Sequence, residues 1–164
     1  MAIKISGTTV INDSRVIENL SAALAVNMGG TGVTTSTGTG NTVLSTSPAL
    51  STPTITGYLE TVTAGGVVGA TKTIVISTGT VYTATLTSAT ACTFTMPTAT
   101  AGTSFIMLLK QPASGTPTTA TFTSVKWNAA GAPTITATLG RLDILTFVAD
   151  GTNWYGSYSQ GYTY

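Results

Sequence analysis

The sequence predicts a mainly β protein: a small antiparallel sandwich or jelly roll that follows an extended N-terminal arm with one short helix. Threonine accounts for 38 of the 164 residues, and its β-branched side chain suits pleated sheets better than helix interiors. Apolar and polar residues alternate with a period of two over much of residues 58–164, which is typical of strands with one buried face. Turn-forming residues interrupt that alternation at short intervals.

The N-terminal piece, residues 1–27, has the pattern of a small anchoring module. Two short strands are predicted at 3–5 and 8–11 on either side of a Ser-Gly turn. An Asn-Asp-Ser run then offers N-cap residues for a helix over 15–25, which would present one apolar face. This piece is too small to fold alone, so we expect it to pack on another surface.

The next segment, residues 28–57, contains no charged and no aromatic side chain. Five glycines loosen its first half, whereas Pro48 and Pro53 keep its second half extended. Such a segment has too few apolar side chains to build a core, yet it lacks the charge that normally keeps a disordered linker solvated. We therefore expect an extended arm that lies along something else.

Residues 58–164 form the predicted β-domain. The run 105–109 is continuously apolar, which predicts a strand buried on both faces. Short strands at intervals of about 8–12 residues are typical of an antiparallel sandwich or jelly roll. The predicted strands are 82–86, 92–96, 105–109, 121–127, 133–139, 142–148 and 154–158.

Composition argues against several classes of function. Only 7% of residues are charged, the net charge is +1, and histidine is absent. Without histidine, Ser-His-Asp and Cys-His catalysis and most metal sites are excluded. The near-neutral charge argues against nucleic acid and anionic membranes as partners. The lone Cys92 gives no disulfide framework, and we expect neither a cofactor nor membrane insertion.

Two carboxylates require separate consideration. Asp143 and Asp150 flank one predicted strand, so a two-carboxylate glycosidase is conceivable. The favoured alternative is that Asp150-Gly151 forms a turn and that Asp143 pairs with Arg141 or with solvent. We accordingly expect no catalytic residues and a protein that is not an enzyme.

The sequence also resembles a known class of proteins. The run Gly29–Gly57 resembles a linker that is widespread in tailed-bacteriophage fibres and related virion proteins, and Ile3–Leu20 looks like the module that often precedes it. The segments Phe94–Gln111, Thr121–Trp127 and Leu145–Gln160 are similar to small β-domains on phage appendages. The resemblance implies a homotrimeric, non-enzymatic structural protein on the virion exterior. The absence of a signal peptide adds the expectation that it is made in the host cytoplasm.

Two roles on the particle remain open. As a capsid decoration (cement) protein, the chain would lay its arm over the major capsid protein and stabilise the shell. The alternative is a short fibre, held by a tail or adaptor protein, whose β-domain is a receptor-binding adhesin. The lack of shaft repeats favours decoration narrowly. In both roles the predicted particle-docking residues are Val16, Leu20, Leu24, Val33, Val43, Leu44 and Leu50.

A cluster of aromatic residues near the end of the sequence also has two interpretations. Exposed aromatic rings could contact a host surface glycan, with three sites in a trimer. The favoured alternative places Trp154 and Tyr158 in the core and the other tyrosines at the trimer interface. The cluster consists of Trp154, Tyr155, Tyr158, Tyr162 and Tyr164.

Overall fold

A computed structural model describes residues 3–5, 8–11, 52 and 54–164 of the chain, the first two ranges as backbone only. The chain divides into two units, Met1–Ile55 and Thr56–Tyr164, and each is described by itself. The expectation of a mainly β protein is confirmed, since the described residues form strands and contain no helix.

The first unit contains one small antiparallel pair. Strand β1 (Ile3–Ile5) pairs with β2 (Thr8–Ile11), and Ile5 lies opposite Thr8. These are the two short strands that the sequence predicts. The helix predicted over 15–25 and almost all of the predicted arm lie outside the described residues.

The second unit contains nine strands in two sheets. Six of them form one sheet in the order β3-β5-β7-β10-β11-β9, and the other three form a second sheet in the order β4-β6-β8. The strands are β3 (Val62–Val68), β4 (Thr71–Thr73), β5 (Val81–Leu86), β6 (Cys92–Thr95), β7 (Ser104–Lys110), β8 (Ala120–Phe122), β9 (Val125–Trp127), β10 (Arg141–Ala149) and β11 (Trp154–Thr163).

The chain alternates between these two sheets as it proceeds from β3 to β8. Strands β3, β5 and β7 are parallel neighbours in the larger sheet, and β4, β6 and β8 are parallel neighbours in the smaller one. Each parallel pair needs a crossover connection, and here a strand of the opposite sheet forms part of it. The arrangement is that of a short β-solenoid of three turns, extended by the antiparallel strands β10 and β11.

The predicted antiparallel jelly roll is therefore wrong in its strand directions. In the second unit, only β7 with β10 and β10 with β11 pair antiparallel, and the other pairings are parallel. A period of two shows that one face of a strand is buried, but it does not give the direction of the neighbouring strand. The connection between β5 and β6 is short, yet these two strands lie in different sheets.

Three local predictions also need correction. Residues 133–139 form no strand; Pro133 has no N–H to contribute to a sheet. The predicted strand 121–127 is divided into β8 and β9 by a turn at which Ser124 has a φ of 56°. Strand β7 is buried on one face only, since Phe105, Met107 and Leu109 point inward while Ile106 is 37% exposed.

The core lies between the two sheets and is held together by aromatic rings. Phe94 stacks on Phe122 of the smaller sheet with ring centroids 5.2 Å apart. Phe105 stacks on Phe147 of the larger sheet at 4.8 Å, and Phe122 meets Phe147 across the core at 5.5 Å. Full burial of each such side chain contributes about 1.5–3 kcal/mol, so these contacts fasten one sheet to the other.

Candidate functional site

The structure locates only part of the predicted site. All the predicted particle-docking residues lie outside the residues that the structure describes. These are Val16, Leu20, Leu24, Val33, Val43, Leu44 and Leu50. The five aromatic residues of the last segment are all described.

Trp154 and Tyr158 are directed towards the core. Trp154 is 1% exposed, and its Nε1–H donates a hydrogen bond of 2.8 Å to the carbonyl oxygen of Pro97. Its ring meets Phe105 edge-on at 5.4 Å. The half-buried Tyr158 packs edge-on against Trp127 at 6.0 Å. The Trp154 ring therefore offers no open face to a ligand in this conformation, and the Tyr158 ring is partly covered.

The other three tyrosines are exposed and lie towards opposite ends of β11. At the start of the strand, the Tyr155 hydroxyl donates to Asp150 Oδ2 at 2.9 Å. Near its end, the hydroxyls of Tyr162 and Ser159 lie 2.7 Å apart. Tyr164 is 80% exposed, and the Lys110 ammonium group lies 2.9 Å from its ring centroid. The exposed tyrosines are therefore divided between the two ends of β11 and do not form one aromatic platform.

Asp143 is a buried carboxylate with four hydrogen-bond donors. Its Oδ1 accepts from the Thr136 hydroxyl at 2.7 Å and from the Gly161 N–H at 2.9 Å. Its Oδ2 accepts from the Thr136 N–H at 2.8 Å and from the Gln160 side chain at 3.1 Å. The expectation that Asp143 pairs with Arg141 or with solvent is wrong on both counts. Asp143 is 1% exposed, and the Arg141 guanidinium donates to the Gly161 carbonyl and to the Thr163 hydroxyl.

Asp150 forms the predicted turn between β10 and β11. Its Oδ1 accepts from the N–H groups of Asn153 and Thr152 at 2.7 and 2.8 Å. These bonds, together with the one from Tyr155, lower the pKa of the Asp150 carboxyl from 3.8 to about 2. The bond to this carboxylate in turn raises the pKa of the Tyr155 hydroxyl.

The ionisable groups lie on separate structural elements and do not come together in one site. Asp143 fastens β11, Asp150 closes a turn, and Glu60 accepts a 2.6 Å hydrogen bond from the Thr80 hydroxyl. The Cys92 thiol is buried, and this burial raises its pKa. Within the described residues, no three acidic, cysteine or histidine side chains come together in a group that could hold a metal ion.

A groove of about 520 Å³ opens beside the ends of β4 and β6. Its walls combine aliphatic side chains with threonine hydroxyls and contain no ionisable group. It can take an uncharged, partly apolar group, but it offers no acid or base. Among its lining residues are Ile74, Val75, Pro97, Thr98 and Thr100.

The outer side of the six-stranded sheet presents a broader surface. One row of paired residues crosses five adjacent strands: Val62, Val81, Ile106, Thr146 and Ser157. The next row crosses the same strands: Ala64, Thr83, Leu108, Ile144 and Ser159. At the turn end, Val148 is 49% exposed and pairs with Tyr155. None of these side chains is acidic or basic, and we call this surface the uncharged face.

The outer side of the three-stranded sheet carries threonine side chains instead of aliphatic ones. Thr71, Thr93 and Thr121 pair across β4, β6 and β8, and Thr73 pairs with Thr95. All five are exposed, and the hydroxyls of Thr93 and Thr121 lie 3.3 Å apart. This surface, the threonine face, is hydroxyl-rich and easily hydrated, whereas the uncharged face carries the larger aliphatic side chains.

The sequence predictions do not include the uncharged face as a site. The run 105–109 predicts burial on both sides of β7, which places Ile106 and Leu108 in the interior. A signal for the surface is present, because aliphatic side chains and threonine occupy most outward positions of β5, β7 and β10, with Ser104 and Lys110 at the two ends of β7. Recognising it requires the strand order, which brings those positions into shared rows.

Comparison with known proteins gave no relative. No family model, no curated protein sequence and no solved structure matches this chain. Among the described residues, no helix has the length and apolar character needed to cross a membrane.

Proposed function

We propose that this chain is a non-enzymatic structural protein on the exterior of a bacteriophage particle, where it acts as a homotrimer. The observation that carries the proposal is the distribution of charge. The two outward rows that run from β3 to β11 and the rows of the threonine face contain no acidic or basic side chain, and Lys110 and Lys126 lie beyond the two rows. An outer face with an aliphatic, uncharged centre favours lasting contact with other protein chains.

The sequence of the arm supports the same proposal. Residues 28–57 are uncharged and rich in threonine, serine and glycine, and their sequence resembles the linkers of phage virion proteins. An extended segment of this kind can add to the edge of a neighbouring sheet through main-chain hydrogen bonds alone. Its apolar residues, with those of the predicted helix, would then fill pockets on the particle.

For its role on the particle we propose capsid decoration. The N-terminal module and arm would lie over neighbouring copies of the major capsid protein, so that bound copies would hold adjacent shell subunits together. The β-domain would project from the shell. Its carboxylates Glu60, Asp143 and Asp150 accept hydrogen bonds within the domain. These bonds stabilise the fold, which suits a component of a particle shell.

The second candidate is a short tail or head fibre with an adhesin domain. The exposed rings of Tyr155, Tyr162 and Tyr164 favour it, because tyrosine can stack on sugar rings and donate hydrogen bonds. In a trimer each ring would be present three times, which raises avidity for a repetitive host surface. The separation of these rings along β11 weighs against a single deep glycan site.

Counting copies on purified particles tests these roles. Quantitative mass spectrometry of intact virions, and of separated heads and tails, would give the number of chains in each fraction. Decoration predicts hundreds of copies that stay with tail-less heads. A few dozen copies or fewer, confined to tails, would exclude decoration and favour the fibre, whereas absence from all fractions would overturn the proposed function.

A further inference from the structure

A pocket of about 210 Å³ lies on the outer side of the six-stranded sheet, over the start of β7. Ser104 and Ile106 line it from β7, and Thr146 lines it from β10. Glu60 and Thr80 join them from the segments just before β3 and β5, outside the rows of the uncharged face. The pocket therefore brings one carboxylate to a surface whose neighbouring side chains are neutral.

The Glu60 carboxylate keeps part of its hydrogen-bonding capacity. The Thr80 hydroxyl donates to Glu60 Oε2 at 2.6 Å, and the hydrogen bonds among the described residues leave Oε1 without a donor. The other two carboxylates of the domain differ, since Asp143 accepts four hydrogen bonds and Asp150 accepts three. Glu60 is also half-buried, so a donor that reaches Oε1 is partly shielded from water.

The basic side chains described in residues 54–164 lie away from this pocket. Lys72 belongs to the other sheet, and Lys110 and Arg141 belong to the ends of β7 and β10 that lie farthest from Ser104. Lys126 is three strands away from Ser104 in the same row, at about 14 Å. Charges in water are screened over about 8 Å at physiological salt. The Glu60 carboxylate therefore sets the charge of the pocket, which favours a cation.

The size and lining of the pocket suit an alkylammonium group. At ~30 Å³ for each water, its volume equals about seven waters, which is room for the four-carbon stem and ammonium group of a lysine. An ammonium group has three donors and no acceptor, and the pocket offers acceptors in Glu60 Oε1 and in the hydroxyls of Ser104 and Thr146. The aliphatic side chain of Ile106, which is 37% exposed, can pack against the stem.

Other ligands of carboxylates fit this pocket less well. A guanidinium group is held best by both oxygens of a carboxylate, and here the Thr80 hydroxyl already occupies Oε2. A calcium ion takes about six to eight oxygen ligands, whereas the pocket supplies one carboxylate and three hydroxyls. Sugar rings stack on open aromatic faces, but Phe105, the aromatic residue of the pocket, is 2% exposed.

We infer that this pocket binds the ammonium group of a lysine side chain that belongs to another protein chain. The ammonium group donates to Glu60 Oε1 and to the hydroxyl oxygens beside it, while its stem lies on Ile106. The aliphatic row around the pocket, with Val62, Val81 and Ile106, suits a ligand that arrives on a protein surface. The inference goes beyond the proposed function and does not depend on it, because a single chain forms the pocket.

Titration of the ¹⁵N-labelled full chain with Nα-acetyl-lysine methylamide, followed by nuclear magnetic resonance, tests the pocket. We expect the amide signals of Thr80, Ile106 and Thr146 to shift together and to saturate with a Kd on the order of 10 mM, since one half-exposed ion pair and a short stem bind weakly. Raising sodium chloride from about 20 mM to about 500 mM should weaken binding about threefold. Signals that do not shift, or an affinity that ignores salt, would overturn the inference.

Two variants separate the charge from the cavity. Glu60→Gln keeps an oxygen that accepts from Thr80 but removes the charge, and it should weaken binding about threefold or more. Asp150→Asn removes the same charge from the turn after β10 and should leave the affinity unchanged. Ser104→Phe fills the pocket and should abolish the shifts, whereas Thr93→Phe on the threonine face should not. Unchanged binding by Glu60→Gln or by Ser104→Phe would contradict the inference.

Related ligands test the chemistry of the occupant. Nα-acetyl-norleucine methylamide has a similar apolar stem without the charge and should cause no saturable shift. Nα-acetyl-arginine methylamide and glucosamine should bind several-fold more weakly than the lysine derivative. Tighter binding of the arginine derivative would contradict the assignment to an ammonium group. Tighter binding of glucosamine would assign the pocket to an amino sugar and would contradict the protein partner.

Discussion

Asp143 shows how one buried side chain determines the shape of a strand. Between Leu142 and Ile144, β10 falls out of register with β11, so that an extra residue is accommodated there. Gly161, with a φ of +79°, belongs to this bulge and donates its N–H to Asp143. The same carboxylate holds Thr136 of the preceding segment. One carboxylate thus satisfies a bulge and a loop that would otherwise leave donors unpaired.

Asp143→Asn is expected to lower the free energy of unfolding by about 2–4 kcal/mol. Whichever way the amide is oriented, its NH₂ group faces a backbone N–H, either that of Thr136 or that of Gly161. Asp150→Asn is the matched comparison, and its loss at pH 6 should be the smaller of the two, because the same change at an exposed turn leaves donors that water can reach. Urea unfolding measures the free energy of unfolding of both variants. A loss below about 0.5 kcal/mol for Asp143→Asn would contradict the stabilising role given to the Asp143 carboxylate.

Asp150 makes a pH-dependent contribution to stability. Its pKa is lowered from 3.8 to about 2 by hydrogen bonds that favour the charged form. The contribution is therefore fully present above pH 4 and is lost as the pH falls from about 4 towards 2. Asp150→Asn should be less stable than the wild type at pH 6, with the difference shrinking by pH 2. A thermal-unfolding difference that stays constant over this range would show that the charge has no such role.

At the scale of elements, the packing of β3 on β5 depends on a residue without a side chain. A Cβ at Gly65 would lie 2.5 Å from the hydroxyl oxygen of Tyr82. The Tyr82 ring is part of the core and is almost fully buried, so it has little freedom to move aside. Because Gly65 has no side chain, it leaves room for the Tyr82 ring beneath β3.

Gly65→Ala is expected to destabilise the fold by about 1–3 kcal/mol, the usual cost of overpacking a filled core. Gly69→Ala is the control, since a Cβ there meets no atom within 4 Å. The two variants make the same change in backbone entropy, so their difference isolates the contact with Tyr82. Equal unfolding free energies for both variants would mean that Tyr82 accommodates the methyl group.

The sequence predicts the inward side of several strands but not their connections. Alternation correctly directs Tyr82, Ala84 and Leu86 inward together, and it does the same for Cys92 and Phe94. Strand direction is not encoded in that alternation, so the parallel order was missed. The hydrogen bonds of Asp143 were missed for a related reason, because Gln160 and Gly161 come close to it only through the bulge.

The candidate sites likewise include features that the local sequence predicts and features that it does not. The Asp150-Gly151 turn follows from local chemistry, and the structure contains it. The sequence also favours burial of Trp154, which the structure shows, but not its hydrogen bond to the carbonyl of Pro97, far away in the chain. The uncharged face depends on five strands that meet in an order no single segment specifies. Local patterns therefore predict turns and inward faces, whereas surfaces that span several strands require the topology.

At the scale of the whole molecule, the two outer sheet faces differ in what they can contact. The uncharged face has an aliphatic centre, with Val62, Val81 and Ile106 in one row, which suits contact with another protein chain. The threonine face is hydroxyl-rich and tolerates water. A chain with 7% charged residues therefore still presents a hydrated surface on one of its two sheets.

The central claim is that this chain lies on the outside of a phage particle. The most direct measurement is binding of antibodies, raised against the purified full chain, to intact purified particles in the electron microscope. We expect labelled particles whose heads, under the decoration role, carry label over their whole surface. Intact particles that contain the chain but bind no antibody until they are disrupted would place it inside and contradict the proposed function.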